Sequence, residues 1–231
     1  MSALAGKRAL VTGTAQGIGR AIADAFSEVG VEVVGLDRSA GKGILRCDLA
    51  RESDIIAAVG QAAKDLGGID ILVNNAGVME QGFIGEVTAT HIDRHFDVNV
   101  RAPIFVTREA LPHMPRGSRI INIASELAYL GRAGVSVYCA TKAAIIGLTR
   151  SWARELAPDI LVNAVAPGPT DTALLSFSNL TPEQQAIETA NPLGRIGKPE
   201  EVASAVVFLA GPGASLFTGQ CLGANGGAAM A

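Results

Sequence analysis

The sequence predicts a single α/β domain, residues 1–231, built on one doubly wound parallel sheet with helices on both faces. Short apolar segments alternate along the chain with longer amphipathic segments, a pattern typical of β-α-β units. Several apolar segments are continuous, such as Ile71-Leu72-Val73, as expected for strands that are covered on both faces. No linker, repeat or low-complexity tract divides the chain. The crossovers between strands are therefore expected to be right-handed and to belong to one sheet.

The strands are identified by runs rich in Val, Ile and Leu, and the helices by apolar residues at intervals of three and four. In chain order we predict strand 8–12, helix 17–29, strand 31–36, a weaker strand 44–47, helix 51–66, strand 69–74, helix 88–114, strand 119–124, helix 136–157, strand 161–165, helix 200–210 and a short strand 220–222. Residues 38–43 are too few for a crossover helix, so a loop is predicted there. Residues 172–198 contain Pro182, Pro192 and several glycines, and they are predicted to form a substrate lid.

Composition and charge argue against several classes of partner. The net charge is −3 and no Lys/Arg cluster is interleaved with aromatic residues, so neither nucleic acid nor an anionic membrane is an expected partner. Apolar residues make up 48% of the chain, yet no apolar run reaches membrane-spanning length. The N-terminus lacks the apolar stretch of a signal peptide, so a cytoplasmic location is expected. The widely spaced Cys47, Cys139 and Cys221 are expected to be reduced.

A glycine-rich turn follows the first predicted strand and opens the first predicted helix. Its glycines are Gly13, Gly17 and Gly19. Glycines in this position permit a tight turn, close approach of the backbone to a pyrophosphate and close helix–strand packing, and the helix N-terminus supplies free N–H groups. The spacing is GxxxGxG, which makes the loop one residue longer than in GxGxxG. An ordinary strand-to-helix turn is the alternative, but three glycines in this context favour a Rossmann-type dinucleotide site.

An acidic residue at the end of the second strand bears on the choice of cofactor. Asp37 lies 18 residues after Gly19, where a carboxylate typically bonds the adenosine ribose hydroxyls. A carboxylate in this position accepts a hydrogen bond from the 2′-hydroxyl and repels a 2′-phosphate, so NAD is favoured over NADP. Arg38 follows directly and is placed to stack on adenine or to reach a phosphate. The alternative for Asp37 is a residue that only starts a turn.

Tyr138 and Lys142 are four residues apart on a predicted helix and therefore face the same way. A YxxxK pair alone is weak, but here it follows Ser125 by a short loop and shares the chain with the glycine turn. Hydride transfer to or from a carbinol carbon requires a group that moves the proton on oxygen. A nearby cation favours the phenolate of a tyrosine, whose pKa is otherwise about 10. The combination predicts a hydride-transfer enzyme with a tyrosine acid/base.

Taken together, the motifs resemble those of the short-chain dehydrogenase/reductase family along nearly the whole chain. The matching segments, in order, are Thr12-Gly13-Thr14-Ala15-Gln16-Gly17-Ile18-Gly19, Asp48-Leu49, Asn74-Asn75-Ala76-Gly77, Asn99, Ser125, Tyr138 with Lys142, and Pro167-Gly168-Pro169-Thr170-Asp171-Thr172. The resemblance implies a homotetramer in which helices 88–114 and 136–157 pair across one two-fold axis. The C-terminal region would pack at a second axis.

The resemblance also implies which residues bind the cofactor. These are Gly13, Gln16, Gly17, Ile18, Gly19, Asp37, Arg38, Asp48, Leu49, Asn75, Ala76, Gly77, Tyr138, Lys142, Pro167, Gly168, Thr170 and Thr172. Asp48 would hold the adenine amino group, and Thr172 would contact the diphosphate. Pro167, Gly168 and Thr170 would close over the nicotinamide.

The resemblance further implies a catalytic tetrad of Asn99, Ser125, Tyr138 and Lys142. Asn99 would bend its helix and hold a water that connects to Lys142, and Ser125 would donate to the substrate oxygen. The chain departs from the family pattern at Glu126, which follows Ser125 where a small residue is common. Gln16 stands where many NADP-using relatives have Arg, in agreement with the preference inferred from Asp37.

Three functions are compatible with these residues. The first is an NAD-dependent dehydrogenase that acts on a secondary alcohol or ketone, such as a small polyol, a sugar or a dihydrodiol. The second is a 3-oxoacyl-thioester reductase acting on an acyl-carrier protein, against which Asp37 argues because biosynthetic reduction usually draws on NADPH. The third is a catalytically silent nucleotide-binding protein, against which the intact tetrad argues.

No metal site is predicted. His91 and His95 are four residues apart on a predicted helix, the spacing of two ligands on one face. The sequence contains no HExxH motif and reveals no third ligand. Two helix residues without a metal-binding role are therefore favoured.

Overall fold

Seven parallel strands form one sheet in the computed structural model, which describes residues 2–230. The strands are β1 (Arg8–Thr12), β2 (Glu32–Asp37), β3 (Ile44–Arg46), β4 (Ile71–Asn74), β5 (Ser118–Ile123), β6 (Ile160–Pro167) and β7 (Cys221–Ala224). Their order in the sheet is β3-β2-β1-β4-β5-β6-β7, and every neighbouring pair is parallel. The chain reverses its direction of winding between β1 and β4, the place where doubly wound sheets open a crevice for ligands.

Helices cover both faces of the sheet, so the predicted doubly wound architecture is confirmed. The α-helices are α1 (Gly17–Glu28), α2 (Glu52–Leu66), α3 (Ala89–Phe96), α4 (Ala102–Ala110), α5 (Leu127–Leu130), α6 (Ser136–Leu156), α7 (Pro182–Glu188) and α8 (Pro199–Ala210). None of the helices within residues 2–230 combines the length and the apolarity needed to cross a membrane. Apart from helix 88–114, each predicted element agrees with the structure within two residues at either end.

The hydrophobic core is divided between the two faces because successive strand residues point in opposite directions. In β1, Leu10 packs into the layer beneath α2 and α4, whereas Val11 packs into the layer beneath α1 and α8. In α1, Ile22 and Phe26 are fully buried against the second layer. Full burial of one such side chain contributes about 1.5–3 kcal/mol, so the two layers hold the strand ends in fixed positions.

The predicted helix 88–114 is interrupted, and Pro103 supplies the physical reason. α3 is followed by a π-helical turn over Asp97–Arg101, then by α4 and by a 3₁₀ turn over Leu111–His113. Pro103 lies in the first turn of α4 and has no N–H to donate to the carbonyl four residues earlier, which belongs to Asn99. The Ala102 N–H instead reaches back to the Asp97 carbonyl. The predicted bend at Asn99 therefore takes the form of a π turn.

The predicted lid contains secondary structure that the sequence analysis did not identify. A 3₁₀ turn over Phe177–Asn179 precedes α7. Thr181 and Gln184 form a capping box at the start of α7, and Pro182 occupies its first turn. The pattern Thr-x-x-Gln was the available signal for this helix.

The two ends of the lid meet at one place. Gly197 donates its N–H to Pro169 and accepts a hydrogen bond from the Asp171 N–H, at 2.8 and 2.9 Å. The lid is therefore a closed excursion from the end of β6.

Candidate active site

A cleft of about 580 Å³ lies at the carboxyl ends of the central strands. The segments that follow β1, β4, β5 and β6 all contribute to its walls. All of the residues predicted to bind the cofactor line this cleft, as do Ser125 and the lid residues Leu174 and Leu175. Asn99 is the one predicted site residue that does not line it. The fold thus brings together side chains that are separated by more than a hundred residues of sequence.

The glycine turn forms a cradle that side chains would fill. A Cβ on Gly19 would collide with the carbonyl oxygen of Gly13, and a Cβ on Gly13 would lie 2.9 Å from Asn75 Nδ2. α1 begins at Gly17, and no side chain caps its N-terminus. The free N–H groups of the first turn and the positive end of the helix dipole suit an anionic pyrophosphate. These features fit the phosphate portion of a dinucleotide cofactor.

Asn75, which follows β4, holds the end of that strand against the end of β1. Its side-chain Nδ2 donates to the carbonyl oxygen of Thr12 at 2.8 Å, and its backbone N–H donates to Thr12 Oγ1 at 3.0 Å. The Ala76 N–H donates to the same hydroxyl at 3.0 Å. The ends of β1 and β4 are consequently fixed against each other at the point where the crevice opens.

Asp37 organises the turn and also faces the cleft. Its Oδ2 accepts the Ala15 N–H and its Oδ1 accepts the Ser39 N–H, each at 3.0 Å. These bonds support the turn-starting interpretation. Each carboxylate oxygen has a further lone pair, so the turn role leaves Asp37 able to accept hydrogen bonds from a ribose. Arg38 is exposed beside it.

Tyr138 and Lys142 lie one turn apart on α6 and are both buried, with 8% and 5% of their surfaces exposed. Lys142 Nζ donates to the carbonyl oxygen of Ile123 at 2.8 Å and lies 5.7 Å from the centre of the Tyr138 ring. Ser125 follows the end of β5, and its Oγ accepts the Leu127 N–H at 3.2 Å. A proton-transfer group, a cation and a hydroxyl donor therefore share one wall of the cleft.

Burial favours the neutral forms of both titratable groups. It raises the pKa of Tyr138 to about 12, an effect that the Ser125 hydroxyl opposes and that Cys139 and Glu126 reinforce. It lowers the pKa of Lys142 to about 8. From the sequence, the lysine cation is expected to depress the pKa of Tyr138. The direction is the opposite because desolvation disfavours the charge on each partner.

Asn99 is fixed in the π turn by three hydrogen bonds. Its Oδ1 accepts the Val78 N–H at 2.8 Å, and its Nδ2 donates to the Val78 carbonyl at 2.9 Å and to Thr141 Oγ1 at 3.1 Å. A Cβ on Gly77 would lie 3.3 Å from Asn99 Oδ1 and 3.5 Å from Lys142 Nζ. Asn99 thus joins the loop after β4 to α6 and lies close to the lysine, behind the cleft wall.

Glu126 is a buried acid in the cleft wall whose importance the sequence analysis did not recognise. Only 3% of its surface is exposed, and its Oε2 has no hydrogen-bond partner within residues 2–230. Burial raises the pKa of Glu126 to about 7. Arg132 opposes the rise and Glu188 adds to it. The signal in the sequence was an acidic residue where the family commonly has a small one.

The structure supplies a third neighbour for the two helix histidines. Glu80, His91 and His95 have ligand-type atoms within 4.8 Å of one another. However, His95 Nε2 accepts the Glu80 N–H at 3.1 Å and His95 Nδ1 contacts the His91 carbonyl at 2.8 Å. Glu80 also pairs with Arg94 at 2.7 Å. Both His95 nitrogens are engaged by backbone groups, which favours a structural role.

Comparison with known proteins agrees with this architecture. Residues 13–229 match the family model described as "Enoyl-(Acyl carrier protein) reductase". The 3-oxoacyl-[acyl-carrier-protein] reductase FabG of Vibrio cholerae is 37% identical over 98% of this chain and 99% of its own length. The aldohexose dehydrogenase of Thermoplasma acidophilum, solved in ligand-free form, is 37% identical with a TM-score of 0.90 over 98% of this chain and 95% of that one.

A second solved structure carries a bound cofactor. It is a blue fluorescent protein from a metagenomic library in complex with NADPH, 36% identical with a TM-score of 0.93 over 99% of this chain and all of that one. The fold, the cleft and these similarities define a nicotinamide-dependent oxidoreductase. The chain belongs to the short-chain dehydrogenase/reductase family.

Proposed function

We propose that this protein catalyses the reversible oxidation of a secondary alcohol to a ketone with NAD(H), acting on a small polyol, a sugar or a similar alcohol. The observation that carries the proposal is the arrangement of Ser125, Tyr138 and Lys142 on one wall of a cleft that also contains the glycine cradle. The nicotinamide cofactor, when bound, accepts the hydride or supplies it and, in its oxidised form, adds positive charge to the cleft. The chain's own residues manage the substrate oxygen and its proton.

Tyr138 acts as the general acid/base in this proposal. Because burial raises the pKa of Tyr138 to about 12, its phenol is protonated across the neutral range. It is therefore ready to donate a proton to the oxygen of a ketone that is being reduced. In the direction of oxidation, positive charge beside the ring favours the phenolate that accepts the alcohol proton.

Ser125 and Lys142 support the tyrosine in different ways. Ser125 is positioned to donate a hydrogen bond to the substrate oxygen as negative charge develops on it. Lys142 is anchored to the Ile123 carbonyl and would hold the nicotinamide ribose while placing its charge near the phenol. Its pKa of about 8 allows it to exchange a proton near neutral pH. Asn99 keeps the lysine's surroundings fixed through its bonds to Val78 and Thr141.

The preference for NAD over NADP is part of the proposal and rests on Asp37. A 2′-phosphate next to this carboxylate would meet a like charge, which costs on the order of 1.4–3 kcal/mol, or roughly 10- to 150-fold in affinity. The similarity to the blue fluorescent protein, which is 36% identical and was solved in complex with NADPH, favours NADP(H) instead. Arg38 is the residue that would pair with the phosphate in that case.

A second candidate function is reduction of a 3-oxoacyl thioester carried on an acyl-carrier protein. It is favoured by the similarity to the Vibrio cholerae reductase, which extends over nearly the whole of both chains. Asp37 argues against this function, because the carboxylate favours NAD whereas biosynthetic reduction usually draws on NADPH.

A turnover assay separates the candidates. The protein is incubated with NAD or NADP and a panel of polyols, sugars and simple secondary alcohols, and in the reverse direction with ketones, a 3-oxoacyl thioester and an enoyl thioester. We expect NAD(H)-coupled turnover of an alcohol/ketone pair at higher kcat/KM than for either thioester. A higher kcat/KM for the 3-oxoacyl thioester with NADPH would establish the second candidate. No turnover of any substrate would support a silent nucleotide-binding protein.

We further propose that the protein acts as a homotetramer in the cytoplasm. Leu216 and Met230 near the C-terminus are 96% and 84% exposed, as expected of residues that a second subunit covers. Helix 136–157 gives less support to the pairing that the resemblance implies, because its apolar residues Ile145 and Ile146 are buried within the chain itself.

A further inference from the structure

The wall of the cleft next to Ser125 contains a carboxyl group that the proposed chemistry does not use. Glu126 directly precedes the short helix α5 as its N-cap residue, and its backbone is fixed on both sides. Its N–H donates to the Pro167 carbonyl at 3.0 Å, and its carbonyl accepts the Tyr129 and Leu130 N–H groups at 2.9 and 3.1 Å. The side chain therefore projects from a rigid turn rather than from a mobile loop.

Gly168, which follows the end of the neighbouring strand β6, leaves room for the carboxyl group of Glu126. A Cβ on Gly168 would lie 2.9 Å from Glu126 Oε2, and both residues line the cleft. Oε2 is enclosed and unpaired within residues 2–230. The other carboxylate oxygen, Oε1, also accepts no hydrogen bond within residues 2–230, but unlike Oε2 it is not fully enclosed. An acid that is 3% exposed and has no partner leaves acceptor capacity at the cleft wall.

The charged groups around Glu126 do not neutralise it. Arg132 Nη1 pairs with Glu188 Oε1 at 2.6 Å, so the cation whose charge acts on Glu126 is already engaged by an acid of the lid helix α7. Both members of this pair line the same cleft. Apart from Lys142, the wall around Glu126 therefore carries two carboxyl groups and one guanidinium that is already paired with Glu188, which leaves Glu126 free to accept a hydrogen bond from a ligand.

We propose that Glu126 is a specificity-determining residue that accepts a hydrogen bond from a second hydroxyl group of the substrate, apart from the hydroxyl being oxidised. The inference rests on the proposed function and narrows its substrate class to diols and polyols. A substrate without the second hydroxyl leaves the buried carboxyl unpaired. A site that is built to bond a hydroxyl discriminates strongly against the analogue that lacks it.

The test compares diols with matched mono-alcohols, using direct binding in addition to turnover. Calorimetry in the presence of NADH measures the affinities of butane-2,3-diol and butan-2-ol, and of cyclohexane-1,2-diol and cyclohexanol. We expect the wild-type protein to bind one of the diols at least ~10-fold more tightly than its mono-alcohol. Equal affinity within both pairs would overturn the proposal.

Two substitutions at Glu126 test whether the preference for diols arises from this residue. Glu126→Leu should remove the diol advantage, so that each diol and its mono-alcohol bind with equal affinity. The measurements are made at pH 8, where Glu126, whose pKa is about 7, is mostly ionised. Glu126→Gln then keeps an oxygen acceptor without the charge, so we expect it to weaken diol binding by about 5-fold, because charge-assisted bonds are roughly twice as strong as neutral ones. Glu86→Gln, at an exposed acid outside the cleft, should change neither affinity. Equal loss for diol and mono-alcohol in the Gln variant would mean that Glu126 only supports the fold, which contradicts the proposal.

The inference and the proposed function fail in different ways. If diol binding depends on Glu126 but NAD(H)-coupled turnover is absent, the site proposal holds and the proposed activity is wrong. If alcohols turn over without any diol preference, the activity holds and the role of Glu126 is wrong.

Discussion

The carboxyl group of Glu126 occupies the space that a side chain on Gly168 would need. The distance from Glu126 Oε2 to a Cβ built on Gly168 would be 2.9 Å, closer than such contacts occur in proteins. Gly168 follows Pro167 at the end of β6, and the absence of a side chain at this position leaves room for a buried acid. Two residues that are 42 positions apart in the sequence, 126 and 168, thus share one space in the folded chain.

This burial predicts a pH-dependent cost in stability. Burial raises the pKa of Glu126 to about 7, so the folded chain binds the proton more tightly than the unfolded chain does. The free energy of unfolding should therefore fall as the pH rises from about 4.5 through 7. Glu126→Gln removes this dependence and should be more stable than wild type by about 2–3 kcal/mol at pH 8, with little difference at pH 4.5.

Urea unfolding of both proteins across this pH range measures the effect. Glu86→Gln serves as the control, because the exposed acid is hydrated in both states and should shift stability by less than about 0.5 kcal/mol at any pH. A constant difference between Glu126→Gln and wild type from pH 4.5 to 8 would show that the Glu126 carboxyl does not titrate as described.

The role of Asp37 predicts the effect of removing its charge. Asp37→Asn keeps one oxygen for the turn but removes the repulsion toward a 2′-phosphate. We expect the ratio of kcat/KM for NAD to that for NADP to exceed about 10 in wild type and to fall by roughly 10-fold in the variant. Asp65→Asn, at an exposed position on α2, should leave the ratio unchanged. Better use of NADP(H) than NAD(H) by wild type would identify Arg38 as a phosphate ligand instead.

The lid should gain protection when ligands bind. Residues 172–197 join the body of the domain at the Gly197 hydrogen bonds and through the ion pair between Arg132 and Glu188. Leu174 and Leu175 line the cleft and would close over a substrate. Hydrogen exchange with and without NADH plus a substrate analogue measures this. Protection equal in both states, at the level of β4 and β5, would identify the segment as a fixed wall.

The mass of the protein in solution tests whether it assembles as a tetramer. Light scattering at micromolar concentration should give four times the chain mass of 23.7 kDa. Leu216→Asp and Met230→Asp place charges on the exposed C-terminal apolar surface and should lower the mass, whereas Ile84→Asp, at another exposed apolar position, serves as a control. A wild-type mass near 23.7 kDa would refute the tetramer.

The parts of the structure that follow from local patterns were predictable from sequence. The glycine turn, the Tyr138/Lys142 pair and the positions of the strands along the chain are encoded by short motifs and by apolar periodicity. A bend at Asn99 within helix 88–114 was expected from the family resemblance, but the π turn that produces it was not predicted, although Pro103 provided a local cue.

The surroundings of the titratable groups depend on contacts that no local pattern reveals. The raised pKa of Tyr138 arises from burial by several elements rather than from its spacing to Lys142. The isolation of Glu126 requires Gly168 to be adjacent and Arg132 to be occupied by Glu188, and these relationships exist only in the folded chain.

The central claim is that Tyr138 moves the proton, and Tyr138→Phe tests it most directly because only the phenolic oxygen is removed. We expect turnover to fall by roughly 10²–10⁴-fold while NADH affinity and folding are retained. Tyr129→Phe is the matched control, since Tyr129 is the chain's second tyrosine, is 38% exposed and should keep full activity. A Tyr138→Phe variant that keeps more than about a tenth of the wild-type rate would contradict the assignment of Tyr138 as the acid/base.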